Sequence, residues 1–442
     1  MGSLLIRNGT VVTLGQENRV LPGYDVACKG GLITALAPAG ELRGGFDREL
    51  DASGKIVMPG FINAHMHLYS TFARGLTKAR PAVDFQQVLE SLWWRLDRAL
   101  DLEDCYYSAL VVLIEAVKHG TTTLFDHHAS PSAPRGSLDA LARAVKRVGV
   151  RASLCYELSD RDGPEVARLG LEENLAFIRS CRAAKDDRLA ATFGLHASFT
   201  LSDETLERAA AAGREADVGF HVHVAEADSD EEHCRREFGL RVVERFAKLG
   251  ILGSRSIAAH CVHISAREME LLAETGTAVV HNPQSNMNNA VGVADVPGML
   301  RRGVLVGLGT DAMTVNMLEE VRAALWVRHL AEKNPSVGFV ETLVTLLANN
   351  ARIANRHFPV RLGELREGCA ADLVLIAYQP PTPFDEGTFL GHQTFGISQA
   401  PVDTTVVGGT VLMTGGRLEL DLDEGEVAAK ARERAKVVWE RF

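Results

Sequence analysis

The chain has 442 residues, of which 46% are hydrophobic and 24% charged, an ordinary balance for a globular protein that buries a large core, and one that excludes disorder. Its formal charge of -10 and pI near 5.9 supply no basic field for nucleic acid or an anionic membrane, so a small molecule is the expected partner. Seven cysteines fall singly, with no CxxC; this argues against a disulfide scaffold or a thiolate zinc site and sets the expectation of a reducing cytoplasm.

The amino-terminal stretch MGSLLIRNGT lacks an apolar signal core, and Ile6 spoils a myristoylation match. No apolar run approaches the roughly 20 residues that a bilayer span needs, so no membrane association is expected. Residues 3–58 read as short strands with hairpin signals at Asn8-Gly9 and Gly30-Gly31. Segments 371–379 and 404–420 are again strand-rich with Gly-Gly turns. The two ends together, 1–58 and 359–423, predict a small β-sandwich, and a charged helix over 424–442 closes the chain.

Between them, over 59–358, short apolar strands alternate with helical stretches, the βα rhythm of a parallel sheet. Strands are expected at 55–65, 121–128, 151–158, 191–198, 219–226, 256–261, 278–283 and 304–311. This series of strands predicts a (β/α)8 TIM barrel of the α/β class. Helical spacing marks 104–120, with Gly120 as its C-cap. The insertion 73–101, after strand one, is expected to lie over the barrel mouth, where Trp93 and Trp94 either line a pocket or anchor the loop.

Barrels keep their chemistry at the carboxyl-terminal strand ends. In PGFINAHMHL, His65 and His67 share one face of a strand because side chains alternate with period two. Taken alone, such a pair is a metal site or two satisfied histidines. Further strands end in His127 and His128, in His196, in HVHVAE, in His260, in His281 and in Asp311. That recurrence makes His65 and His67 ligands of a metal at the mouth. His221 and His223 share a face too; His223 is chosen because it lies nearer the strand end, with Glu226 placed to act as acid or base. Asp311 adds a carboxylate, and a His-rich set of this kind suits one divalent ion, zinc or ferrous iron, better than magnesium or calcium.

PGFINAHMHL, HVHVAE, AAHCVH and GLGTDA, in this order, together resemble the amidohydrolase superfamily, in the branch of cytosine-, guanine- and S-adenosylhomocysteine-deaminase-like enzymes and triazine hydrolases. The likeness spans essentially the whole chain, and the stretch 92–131 is similar to one aminohydrolase group of that branch. The resemblance implies metal ligands His65, His67, His223 and Asp311, catalytic roles for Glu226, His260 and Asp311, and a substrate-facing His196. Strand four ends in Gly194-Leu195-His196 and no strand end carries a lysine to bridge two metals, so a single ion is expected. His221 reads as inward packing or a prop for a ligand.

These residues predict a metal-dependent hydrolytic deaminase of an amino-substituted N-heterocycle such as a purine, pyrimidine, pterin or triazine. Two other readings use the same sequence: ring-opening hydrolysis of a cyclic amide or ureide, and a catalytically silent metal-binding scaffold. HNPQSNMNN, residues 281–289, either reads a polar heterocycle or braces the metal shell, and relatives of this branch suggest a homodimer.

Overall fold

In a computed structural model, residues 2–15 and 17–442 are described. The amino-terminal segment supplies β1 (Ser3–Val12), β2 (Val20–Lys29), β3 (Leu32–Pro38), β4 (Arg48–Asp51) and β5 (Ile56–Pro59). Central strands follow as β6 (Phe61–Met66), β7 (Thr121–Asp126), β8 (Arg151–Leu154), β9 (Leu189–Ala191) and β10 (Phe193–Ala197). The series continues with β11 (Phe220–Val224), β12 (Ile257–His260), β13 (Ala278–His281) and β14 (Val306–Leu308). The carboxyl-terminal segment adds β15 (Leu373–Ile376), β16 (Val402–Val407), β17 (Thr410–Thr414) and β18 (Arg417–Leu418).

The two chain ends meet, but as one hydrogen-bonded sheet, in the order β18-β17-β16-β15-β5-β1-β2-β3 with β4 against β1. The halves join where β15 runs antiparallel to β5, Leu373 opposite Pro59 and Ile376 opposite Ile56. Side chains from both halves, among them Ile6, Val26, Val57, Leu373 and Val406, share one core. The joint explains why neither terminal segment reads as a complete unit: each leaves an edge that only the other satisfies.

The central strands form two parallel arcs, β6-β7-β8-β9 and β10-β11-β12-β13-β14, and their residues are buried almost throughout, as parallel strands covered on both faces must be. Isolated bridges link the arcs, Leu158 with Leu195 at one seam and Met66 with Asp311 at the other. At the second seam the backbone N–H groups of Thr310 and Asp311 both donate to the His65 carbonyl, at 2.9 and 3.0 Å. The result is a TIM-barrel type of α/β fold.

Two strand expectations are corrected. The run 55–65 is two strands: β5 belongs to the end sheet and β6 to the barrel, and the chain changes partner at Gly60, whose N–H donates to Asp372. A Cβ at Gly60 would come within 2.3 Å of the Thr122 side chain, so only glycine fits this crossing. Strand four likewise breaks at Thr192, β9 pairing with β8 and β10 with β11. Period-two patterns carry no signal for a change of partner.

The helix expected at 104–120 spans Leu102–Lys118. Asp101 caps it, accepting from the N–H groups of Glu103 and Asp104 while the Asp104 carboxylate accepts from the Asp101 N–H. The closing helix runs Glu424–Arg441. Among the described residues, no helix is long and apolar enough to cross a membrane.

Candidate metal centre

The carboxyl-terminal strand ends bring His65, His67, His223, His260, Glu226 and Asp311 together in three overlapping groups whose donor atoms lie within 4.8 Å of one another, and a fourth such group joins His67 and His223 to His127 and Glu157. His65 and His67 come from the end of β6 and the residue just after it, His223 from β11, His260 from the last position of β12, and Asp311 from the turn after β14. The backbone is strained where it presents them: Ala225, His260, Cys261 and Asp311 all have positive φ, between 44° and 72°. Each such non-glycine conformation costs about 1–3 kcal/mol and persists only where the surroundings over-determine it.

Each imidazole is held by its Nδ1, which leaves Nε2 facing inward. His65 Nδ1 pairs with His221 Nε2 at 2.9 Å. His67 Nδ1 donates to the His127 carbonyl, and His223 Nδ1 donates to the His196 carbonyl at 3.0 Å. His260 Nδ1 donates to Asn286 Oδ1 at 2.9 Å. Such outer contacts select the tautomer and the ring orientation of a metal ligand. The inward nitrogens of His65 and His260 are buried and have no hydrogen-bond partner, an arrangement that a cation would satisfy. Burial, reinforced by the neighbouring histidines, drives the His65 and His223 pKa values well below the ordinary range, so both present lone pairs.

Asp311 lies 2.9 Å from His67 Nε2 through Oδ1, and its Oδ2 accepts from Ser285 Oγ at 2.6 Å and lies 3.7 Å from His260 Nε2. Glu226 Oε2 is 3.4 Å from His260 Nε2, while Oε1 accepts from Asn289 at 3.3 Å. Burial pushes the Glu226 carboxyl up, only partly offset by His260, to about 7. Imidazole nitrogens and a carboxylate with an open inner face form a donor set that fits zinc or ferrous iron.

Several ambiguous residues now have places. His221 is the prop of His65. His127 donates through Nε2 to the His221 carbonyl at 3.0 Å, and His128 Nε2 lies 3.0 Å from Ser130 Oγ; both rings are fully buried. His281 is not at the centre: it faces a separate small cavity with Arg328 and Thr345. In the 281–289 segment, Ser285, Asn286 and Asn289 touch Asp311, His260 and Glu226 respectively, so its amides brace the cluster.

The cavity above the cluster is lined by His67, His196, His223, Glu226 and Asp311 together with Tyr69, Trp93, Trp94, Phe199 and Met313. The insertion therefore brings both tryptophans to the pocket wall. Glu157, which no motif flagged, also lines the cavity; it follows β8 and lies 3.3 Å from both His67 Nδ1 and His127 Nδ1. An acidic residue at the end of strand three was its only sequence signal.

This fold, with histidines and carboxylates gathered at the strand ends, is that of an amidohydrolase: residues 56–412 match the amidohydrolase family, and the chain belongs to it. It is a hydrolase acting on carbon–nitrogen bonds other than peptide bonds. Over 442 residues it is 34% identical to the 5-methylthioadenosine/S-adenosylhomocysteine deaminase of Desulforudis audaxviator, with 98% of each chain covered. It is 32% identical over 422 residues to the 5'-deoxyadenosine deaminase of Methanothermobacter thermautotrophicus, covering 94% of this chain and 91% of that one. Among solved structures it is similar to an adenosine deaminase from Xanthomonas campestris with bound zinc, at 24% identity, a TM-score of 0.86 and 98% coverage of both chains.

Proposed function

We propose that the chain is a hydrolytic deaminase of an amino-substituted N-heterocycle that works with one divalent ion, zinc or ferrous iron, and releases ammonia. The observation that carries this is the convergence of inward Nε2 atoms and the Asp311 carboxylate beside Glu226, a carboxyl that burial raises to about 7. His65, His67, His223 and Asp311 are the residues that would hold the ion. When bound, it supplies acidification of water, whose pKa falls from about 16 toward about 7.

The side chains then divide the proton transfers. Asp311 Oδ2 takes a proton from the attacking water, whose oxygen bonds to the amino-bearing ring carbon. Glu226 donates its proton to the adjacent ring nitrogen, so no full negative charge develops on the ring. His260 Nε2, 3.4 Å from Glu226 and 3.7 Å from Asp311, orients the attacking oxygen. Asp311 passes its proton to the amine, the carbon–nitrogen bond breaks, and the proton left on the new hydroxyl restores Glu226. His196 faces the ring. The deaminase names of the relatives support this chemistry over ring opening, and the adenosine-like nucleosides in those names favour purines among the candidates. We assign catalysis to residues 59–358 and a supporting role to the β-rich ends.

The test is ammonia release by the zinc- or iron-loaded protein across aminated purines, pyrimidines, pterins and triazines, with metal content measured on the same sample. Release that disappears in Glu226→Gln is the expected result. Ring opening without ammonia would replace deamination by cyclic-amide hydrolysis, and metal uptake without turnover of either kind would leave a scaffold.

A further inference from the structure

Glu157 is buried, lines the cavity beside His196, and has no role in the chemistry described above. Its Oε1 is sequestered from solvent and has no hydrogen-bond partner. Two ring nitrogens face it. His67 Nδ1 lies 3.3 Å away but donates to the His127 carbonyl. His127 Nδ1, likewise without a partner, is also at 3.3 Å, so Oε1 faces imidazole nitrogens and Oε2 is the oxygen near His196.

His196 Nε2 lies 3.7 Å from Glu157 Oε2, beyond hydrogen-bond reach. Its tautomer follows from its other nitrogen. Thr200 Oγ1 donates to the Ala197 carbonyl at 3.1 Å, so it accepts from His196 Nδ1 at 2.7 Å, and Nε2 is left as a bare acceptor. Glu157 Oε2 and His196 Nε2 thus stand side by side in the cavity wall with no hydrogen bond between them. A buried acceptor left unpaired is expensive, so sites of this kind discriminate strongly for ligands that bring the missing donor.

We infer that Glu157 and His196 form an acceptor-only subsite that selects heterocycles offering N–H donors on an edge other than the one being deaminated. This deepens the deaminase reading and rests on it. Amino-oxo rings carry such donors: 6-amino-2-oxopurine can present N3–H and N9–H. The adenine ring of an adenosine-like nucleoside presents N3 as an acceptor and has no N9–H, so acceptor would face acceptor. The chain therefore differs in substrate preference from the relatives named for adenosine-like nucleosides.

The test compares 6-amino-2-oxopurine with 5'-deoxyadenosine on the zinc-loaded protein and its Glu157→Gln variant, which keeps the shape and replaces one acceptor by a donor. The wild type should favour the oxopurine in kcat/KM by about 100-fold or more, on the scale of discrimination by unpaired buried groups. The variant should cut that ratio at least about tenfold, chiefly through KM, with melting temperature and first-ion content unchanged. Both rings handled within about threefold by the wild type, or a ratio unmoved by the substitution, would overturn the inference. So would two ions per chain in the wild type and one in the variant, since Glu157 would then be a cation ligand. Calorimetric binding of 2,6-dioxopurine, which carries ring N–H donors but no amine, reads the subsite without turnover. Weaker binding by the variant supports the inference even if no ring yields ammonia, the result that sinks the deaminase reading alone; equal binding overturns it.

Discussion

At the amino-terminal end of β8, Arg151 is almost wholly buried, yet its donors are matched: Nε to Asp372 at 2.6 Å, Nη1 to the Asp187 carbonyl at 2.9 Å and Nη2 to Asp372 at 3.3 Å. Asp372 in turn accepts from the Gly408 N–H at 2.7 Å. At the opposite ends of the same strands, His65 Nε2, His260 Nε2 and Glu157 Oε1 are just as buried and unpartnered. A structural charge cluster is closed by its own groups, because an unpaired buried charge would unfold the joint. A cluster meant for a cation and a substrate has to leave atoms open, and the backbone strain at His260 and Asp311 helps to keep them so.

The comparison can be broken most completely by removing metal. Dialysis against a chelator should abolish turnover, and readdition of zinc should restore it, while urea unfolding of the Arg151–Asp372 joint is little changed apart from the ligand's own contribution, about 2.7 kcal/mol at 100 times Kd. Glu226→Gln should lower kcat by about 100- to 10,000-fold, the range for a lost general acid, without altering metal content; a variant as active as the parent would remove Glu226 from the mechanism. At the closed end, Asp372→Asn should instead destabilise the fold by about 3–5 kcal/mol, seen in the unfolding midpoint, with activity per folded molecule preserved. Smaller effects should follow from the props: His221→Phe is expected to weaken zinc binding about 10- to 100-fold by freeing His65 Nδ1, measured by competition with a chromogenic chelator.

Much of the cluster was legible because period-two spacing and the strand-end rule act on consecutive residues. His65 with His67, His223 ahead of Glu226, and His260 all follow from that, and all meet in the structure. The same rule misplaced His281, which ends β13 but faces another cavity: a strand's face is set by where its pleat begins, and the motif does not carry that phase. Glu157 was missed because it stands alone, three residues beyond the regular pairing of β8 and next to no histidine in the chain. The break of strand one at Gly60 was invisible because both pieces are equally apolar.

What the sequence by itself determined is the set of strand-end side chains and the family chemistry they imply, since those depend on local alternation and residue type. Which nitrogen of each imidazole turns inward was decided only by the tertiary structure. His65 is oriented by His221, 156 residues away, and His67 by the carbonyl of His127, 60 residues away. A ring nitrogen donates or accepts according to its partner, and those partners come from other strands that only the closing of the arcs brings into reach.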